Sequence, residues 1–379
     1  MKNIDKNIIA LGWVSFFTDM ASSMITILLP IFVVYILNEG VVMLGVIIAI
    51  ATFASYIFRI LFGYLSDKYK IVKPFVVSGY LISAITKPLL GFSETFSSVA
   101  FLRASERLGK AVRSASKDSL ISTYAKENSH GKTFGFHKTM DIAGELSGAI
   151  IIFILFLYFT KDENTIRLIF ESTIIPGFLA VFIIIFFVKD SPKTTTKNTA
   201  VVNKEDYKLF PLLFIYFGYL FFVVSEQFFI VYAKEEGFSL STIPLFIILF
   251  TFVQTIVSYY GGLLVDKIGS FKIIFVSFIF GILSILSVNF NLWLSFAFLG
   301  LFTVLSLNAI RIYISLNAKS KAFVYGVLYG GVAIFSSLGA LVIGYIWQYY
   351  GMENVLVFST TGMILVTILL IIVLSKSKI

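Results

Sequence analysis

Asp19 stands in the stretch SFFTDMASSMITILLP, residues 15–30, about twelve residues into the first long apolar run. A carboxylate roughly 18 Å along a membrane-crossing helix lies near mid-bilayer, where it is costly unless paired or hydrated, and where it suits a proton or a cation. No basic residue lies near it in sequence. A second group is denser: Arg103 and Arg107 share a helix face at a spacing of four, and His137, Asp141 and Glu145 repeat that spacing on the next helix. Counted from the shared end of an antiparallel helix pair, Arg107 and Asp141 lie on the order of 10 Å deep and Arg103 and Glu145 about 15 Å. Two stacked cross-helix ion pairs are therefore expected, with His137 nearer the end. Two chemistries fit them: a proton path in which Asp141 or Glu145 alternates between a protonated state and an arginine pair, or a static ladder that holds the helices together. Glu106 is expected to pair with Lys110 in its own helix. Lys87 is expected either to face the interior or to snorkel outward, and Arg59 to snorkel or pair structurally. Glu226, Gln227 and Asn308 are further candidate substrate contacts, and Gly144 and Gly148 form a GxxxG suited to close helix contact.

These residues belong to an integral membrane protein. The 379-residue chain is 58% hydrophobic with a mean hydropathy of +0.94, and its 13% of charged residues is about half the roughly 25% of soluble domains. The pattern is all-α, because apolar runs of about 20 residues recur without the two-residue alternation of barrel strands. Twelve spans are predicted, at about 7–37, 42–66, 73–93, 95–117, 134–160, 165–188, 209–233, 242–264, 271–289, 292–317, 322–349 and 353–375. With a cytoplasmic N-terminus, the segments on that side hold 22 of the 30 Lys and Arg, and the opposite loops hold Lys161, Arg167 and Lys234. That bias places both termini inside and accounts for the net charge of +9 without nucleic acid. The expected organisation is a six-helix bundle over 1–188, a cytoplasmic linker over 189–208 and a second bundle over 209–379. Cys is absent, which excludes disulfides and thiolate ligands, and His130 and His137 are too few for a metal or haem site, so no cofactor is expected. No GxxxxGK[ST] is present, so ATP is not expected as the direct energy source.

One charged sentence occurs twice. GYLSDKYKIVK (63–73) and GLLVDKIGSFK (262–272) share Gly63/Gly262, Asp67/Asp266, Lys68/Lys267 and Lys73/Lys272 at one offset, each in the turn after the second helix of its half. The first copy resembles the loop signature of the major facilitator superfamily, G-x-L-x-D-R/K-x-G-R/K-R/K, with Lys70 where the family has Gly; the second keeps Gly269. The run ERLGKAVRSASKDSLISTYAKENSHGKTFGFHKTMDIAGELSG (106–148) is similar to the fourth-to-fifth helix region of a prokaryotic, exporter-like branch of that family. The resemblance implies two pseudo-symmetric six-helix bundles and a transporter, not an enzyme. It further implies a monomer in the cell membrane that moves a small molecule by alternating access, coupled to protons and in the efflux direction. Uptake by symport or uniport is the alternative, and a non-transporting membrane sensor or scaffold a third. Asp67 with Arg113, and Asp266 with Arg311, are expected to form latches that hold the cytoplasmic side closed; the bland alternative is that these charges only anchor topology. The family's antiporters carry a Gly-Pro in the fifth helix; here Glu145 follows Gly144, which weakens an antiporter assignment.

Overall fold

Apolar side chains set the helix count and glycines set how closely the helices approach. In the computed structural model the described residues are 5–69, 72–125, 130–190 and 203–376, without the side chains of a few positions that include Asp67 and Asp266. Fourteen α-helices and no strands occur among the described residues. They are α1 (Lys6–Ile31), α2 (Gly40–Tyr69), α3 (Lys73–Leu89), α4 (Phe96–Tyr124), α5 (His130–Tyr158), α6 (Glu163–Ser172), α7 (Ile174–Phe187), α8 (Phe210–Phe221), α9 (Glu226–Glu235), α10 (Ile243–Ile268), α11 (Ser270–Leu286), α12 (Leu292–Asn317), α13 (Lys321–Tyr350) and α14 (Met352–Lys376). Nine segments among the described residues are long and apolar enough to cross a membrane. The predicted fourth, eighth and ninth spans are helical as α4, α10 and α11, but α4 carries seven charged residues and the apolar helical segments of α10 and α11 are shorter. The predicted sixth span is α6 running into α7 through Thr173, and the seventh is broken at Phe222–Ser225 between α8 and α9.

Helix ends follow local chemistry. Asp5 caps α1, its Oδ1 accepting the N–H of Asn7 at 2.7 Å, and the Thr95 hydroxyl caps α4 by accepting the Ser98 N–H at 3.3 Å. α4 runs about two turns past the predicted end at residue 117, because no Gly or Pro interrupts residues 110–124, so Asp118 lies on a helix rather than in a loop. Gly269 sits at φ +92° between α10 and α11, a conformation that a side chain disfavours, which explains the glycine in the second copy of the repeated motif. Its counterpart Lys70 lies outside the described residues.

Contacts divide the chain into two units. The first comprises Met1–Glu39, Ile50–Lys197 and Ser239–Leu245, and the second Gly40–Ala49, Asn198–Phe238 and Phe246–Ile379. The segments 40–49 and 239–245 group with the unit that holds the other half of the chain. In the first unit α1 packs along α5 and α3 along α4. A Cβ on Gly148 would lie 2.5 Å from the Met20 carbonyl oxygen, one on Gly144 would overlap the Phe16 carbonyl, and one on Gly79 would lie 2.5 Å from the Gly109 carbonyl. The GxxxG of α5 therefore does bring two backbones together. A core of Leu11, Val14, Val76, Tyr80, Leu120 and Ile184 ties α1, α3, α4 and α7. The second unit repeats the scheme: α8 packs on α13, where a Cβ on Gly339 would overlap the Phe221 carbonyl, and α11 packs along α12. Its core is aromatic, with Phe246 stacked on Phe296 at 5.0 Å and Tyr219 on Phe278 at 3.8 Å between ring centroids.

The packing makes a direct prediction. Gly144→Ala forces backbone against backbone and should cost about 1–3 kcal/mol of stability, seen as a lowered unfolding midpoint in detergent. Gly135→Ala, where nothing lies within 4 Å, should leave the midpoint unchanged or raise it.

Candidate functional site

All six predicted proton or substrate residues fall in the first unit, on α1, α4 and α5, and α3 joins them. The close α3–α4 approach at Gly79 and Gly109 places the α4 cations within reach of α3 backbone and hydroxyl acceptors. The pairing differs from the predicted cross-helix ladder. Arg103 Nη1 donates to Glu106 Oε2 at 2.9 Å, and Arg107 Nε lies 3.2 Å from the same oxygen. Arg103 and Glu106 are both fully buried. The two arginines thus converge on Glu106, the carboxylate assigned only a local pair with Lys110, instead of on Asp141 and Glu145. The physical reason is proximity on a single turn: Glu106 is three residues from one arginine and adjacent to the other, so no second helix has to supply the counter-charge.

Lys87 faces inward. It is 1% exposed, and its Nζ donates to the Thr18 carbonyl of α1 at 3.0 Å, one residue before Asp19. Asp19 lies at the middle of α1, half-buried, and makes no ion pair or side-chain hydrogen bond among the described residues. Its charge bears on Lys87, Lys110, Lys117 and His137 across the bundle. Glu145, midway along α5, is likewise without an ion pair among the described residues and within electrostatic range of Asp19, Lys110 and Asp141.

A second chain of contacts links four helices. Lys117 Nζ of α4 donates to Ser15 Oγ of α1 at 3.2 Å, and Ser15 Oγ lies 3.0 Å from His137 Nε2 of α5 and 3.4 Å from the Tyr80 hydroxyl of α3. The Lys117 ammonium donates to Ser15, whose hydroxyl keeps one proton to donate and one lone pair to accept with, and both His137 Nε2 and the Tyr80 hydroxyl lie within reach of it. His137 Nδ1 lies 3.3 Å from Asp141 Oδ1, without hydrogen-bond alignment. Ser15, Tyr80, Lys87, Glu106 and Lys117 were not among the residues predicted to form the site. The one sequence signal for Ser15 was its place four residues before Asp19, on the same face.

The predicted gating residues are placed unevenly. Arg113 is buried, donates from Nη1 to Ser83 Oγ at 2.7 Å and Gly79 O at 3.4 Å, and covers the Tyr80 ring at 4.5 Å. Arg311 covers the Tyr329 ring at 5.8 Å, and its carbonyl accepts the Tyr325 hydroxyl at 3.0 Å. Gly63 and Lys68 lie on α2, Gly262 and Lys267 on α10, and Lys272 on α11. Lys73, at the start of α3, donates its Nζ to the Ile185 carbonyl at 2.9 Å. The side chains of Asp67 and Asp266 lie outside the described residues, so neither latch is described. Arg59 pairs with Asp118 at 3.1 Å. At Gly218, the position matching Asp19 in the second half, an added Cβ would meet only ordinary contact with Val366, and the second unit places no acid there. No cluster of three metal-ligating side chains occurs among the described residues.

The comparisons agree with this architecture. The profile of the Major Facilitator Superfamily matches residues 11–329. An uncharacterized MFS-type transporter of Methanocaldococcus jannaschii is 32% identical over 364 residues, covering 92% of this chain and 90% of that protein. Among solved structures, a point mutant of the nucleoside transporter NupG superposes with a TM-score of 0.79 at 13% identity, covering 96% of this chain and 99% of that one. A D-xylose-proton symporter superposes with a TM-score of 0.71 at 15% identity, covering 96% and 95%. At such identities these two structures share the fold alone. A multi-pass helical chain with a charged group buried in its first unit, matched by the family profile over most of its length, belongs to the Major Facilitator Superfamily of transporters.

Proposed function

We propose that this protein is a secondary active transporter with twelve spans and cytoplasmic termini, which exports a small solute from the cell by proton-coupled alternating access. The observation that carries the reading is the contrast among the carboxylates of the first unit. Glu106 is held by two arginines, whereas Asp19 and Glu145, each at the middle of its helix, make no ion pair among the described residues. A carboxylate locked between guanidiniums stays ionised and structural; one without a fixed partner in a membrane-spanning helix can exchange a proton as its surroundings change. The Lys117–Ser15–His137 chain, with Asp141 beyond it, gives such a proton a hydrogen-bonded neighbourhood. Uptake by the same proton chemistry is the second reading, supported by the fold neighbour named as a D-xylose-proton symporter. The Asp67–Arg113 and Asp266–Arg311 latches remain part of the proposal. A charge-assisted bond of about 1.5–3 kcal/mol is strong enough to bias a two-state equilibrium and weak enough to release.

In proteoliposomes, an imposed pH gradient should drive solute flux, and Asp19→Asn and Glu145→Gln should each abolish the gradient's effect while solute exchange persists. Flux that ignores the gradient and survives both substitutions would remove proton coupling. Glu106→Gln should behave differently, leaving Arg103 and Arg107 without their carboxylate and lowering stability by about 3–5 kcal/mol, seen as a lower unfolding midpoint. The cysteine-free chain suits a latch test: Asp67→Asn should raise labelling from the cytoplasmic side at single introduced cysteines, and unchanged labelling would leave Asp67 a topology anchor.

A further inference from the structure

We infer that the solute carries an oxyanion, a carboxylate or phosphate group, which docks on α4 between Arg107 and Lys110. The inference deepens the transport reading and rests on it for the word solute; binding itself is testable alone. Beyond Lys73 at the start of α3, six cations lie on α3 and α4 of the first unit: Lys87, Arg103, Arg107, Lys110, Arg113 and Lys117. Among the described residues Glu106 is the one carboxylate in ion-pair contact with any of them. Three others are met by neutral acceptors: Lys87 by the Thr18 carbonyl, Arg113 by Ser83 and Gly79, Lys117 by Ser15. With Asp19, Asp141 and Glu145 also ionised, two positive charges remain unmatched, and protonating any of these acids enlarges the excess. Uncompensated charge inside a membrane-spanning bundle is expensive, and an anion that completes it recovers part of that cost.

The accessible part of this excess has a definite address. Arg103, Arg113 and Lys87 are buried and engaged. Arg107 is 17% exposed and spends only Nε on Glu106, while Lys110 is exposed and makes no ion pair among the described residues. The two are three residues apart on one helix face, with Cβ atoms about 5–6 Å apart, a span that one carboxylate or phosphate can bridge. Planar guanidinium donors and a mobile ammonium are both well suited to oxyanions.

The test uses thermal unfolding of the purified protein in detergent at fixed pH and ionic strength. The probes are sodium phosphate and sodium citrate, with ribose and tetraethylammonium chloride as neutral and cationic controls. Phosphate, citrate or both should raise the midpoint saturably, and which of them does so separates the phosphate from the carboxylate source. Arg107→Gln and Lys110→Gln should each weaken that binding by about tenfold or more, the loss of one charge-assisted contact. Arg107→Lys, which keeps the charge, should retain most of the binding, and Lys138→Gln, on the exposed surface of α5, should retain all of it. The proposal is overturned if neither oxyanion shifts the midpoint, if only ribose or tetraethylammonium does, or if the oxyanion shift is unchanged in both glutamine variants. Oxyanion binding without any flux in proteoliposomes would sink the transport reading and leave the site standing; gradient-driven flux of a neutral solute without oxyanion binding would do the reverse.

Discussion

A charge inside a membrane-spanning bundle must find a partner, and α4 brings five cations and two acids into one helix. The buried ones among them, Arg103, Glu106 and Arg113, are shut off from water, so the surrounding protein must supply their partners. The requirement explains the close α3–α4 contact at Gly79 and Gly109, which puts the Gly79 carbonyl and the Ser83 hydroxyl within reach of Arg113. It also explains why Lys87 reaches across to the Thr18 carbonyl and Lys117 to Ser15. The GxxxG contact of α5 with α1 then brings His137 against Ser15, which joins all four helices.

The two units repeat one packing scheme and differ in chemistry. α8 meets α13 through glycines as α1 meets α5, and α11 runs along α12 as α3 runs along α4. The second unit fills its interior with stacked rings such as Phe246 on Phe296, and Gly218 stands where the first unit has Asp19. The interior of the first unit is charged and polar, and that of the second is aromatic. The aromatic interior is stable without counter-ions, whereas the polar interior depends on pairing that protonation or a bound anion can change.

Much of the fold was legible in the sequence because hydropathy and length act locally: a run of about 20 apolar residues has to be a helix wherever it ends up. The helix ends were less legible. α4 outruns its predicted span because charged residues depress hydropathy without breaking a helix, and the interruption between α8 and α9 falls at Phe222–Ser225, where no Gly or Pro marks it. The charged residues of the first unit were legible in the sequence, and which of them meet was not. Spacing of four puts Arg103 with Arg107 and His137 with Asp141 on one helix face each, but depth along two helices says nothing about their rotation. The arginines therefore turned out to share Glu106 instead of facing the acids of α5.

By itself, the sequence determined that the chain is an all-helical membrane protein with a duplicated charged motif, and that Asp19 and a basic fourth helix lie within the apolar stretches. Each of these follows from the transfer cost of side chains and from periodicity along one helix. Only the tertiary structure decided which charges meet: that Lys87 turns inward to α1, that Ser15 joins Lys117 to His137, and that Arg107 and Lys110 keep accessible cations. Those choices depend on helix rotation and on interhelical distance set by a few glycines, quantities that arise when helices from distant parts of the chain pack together.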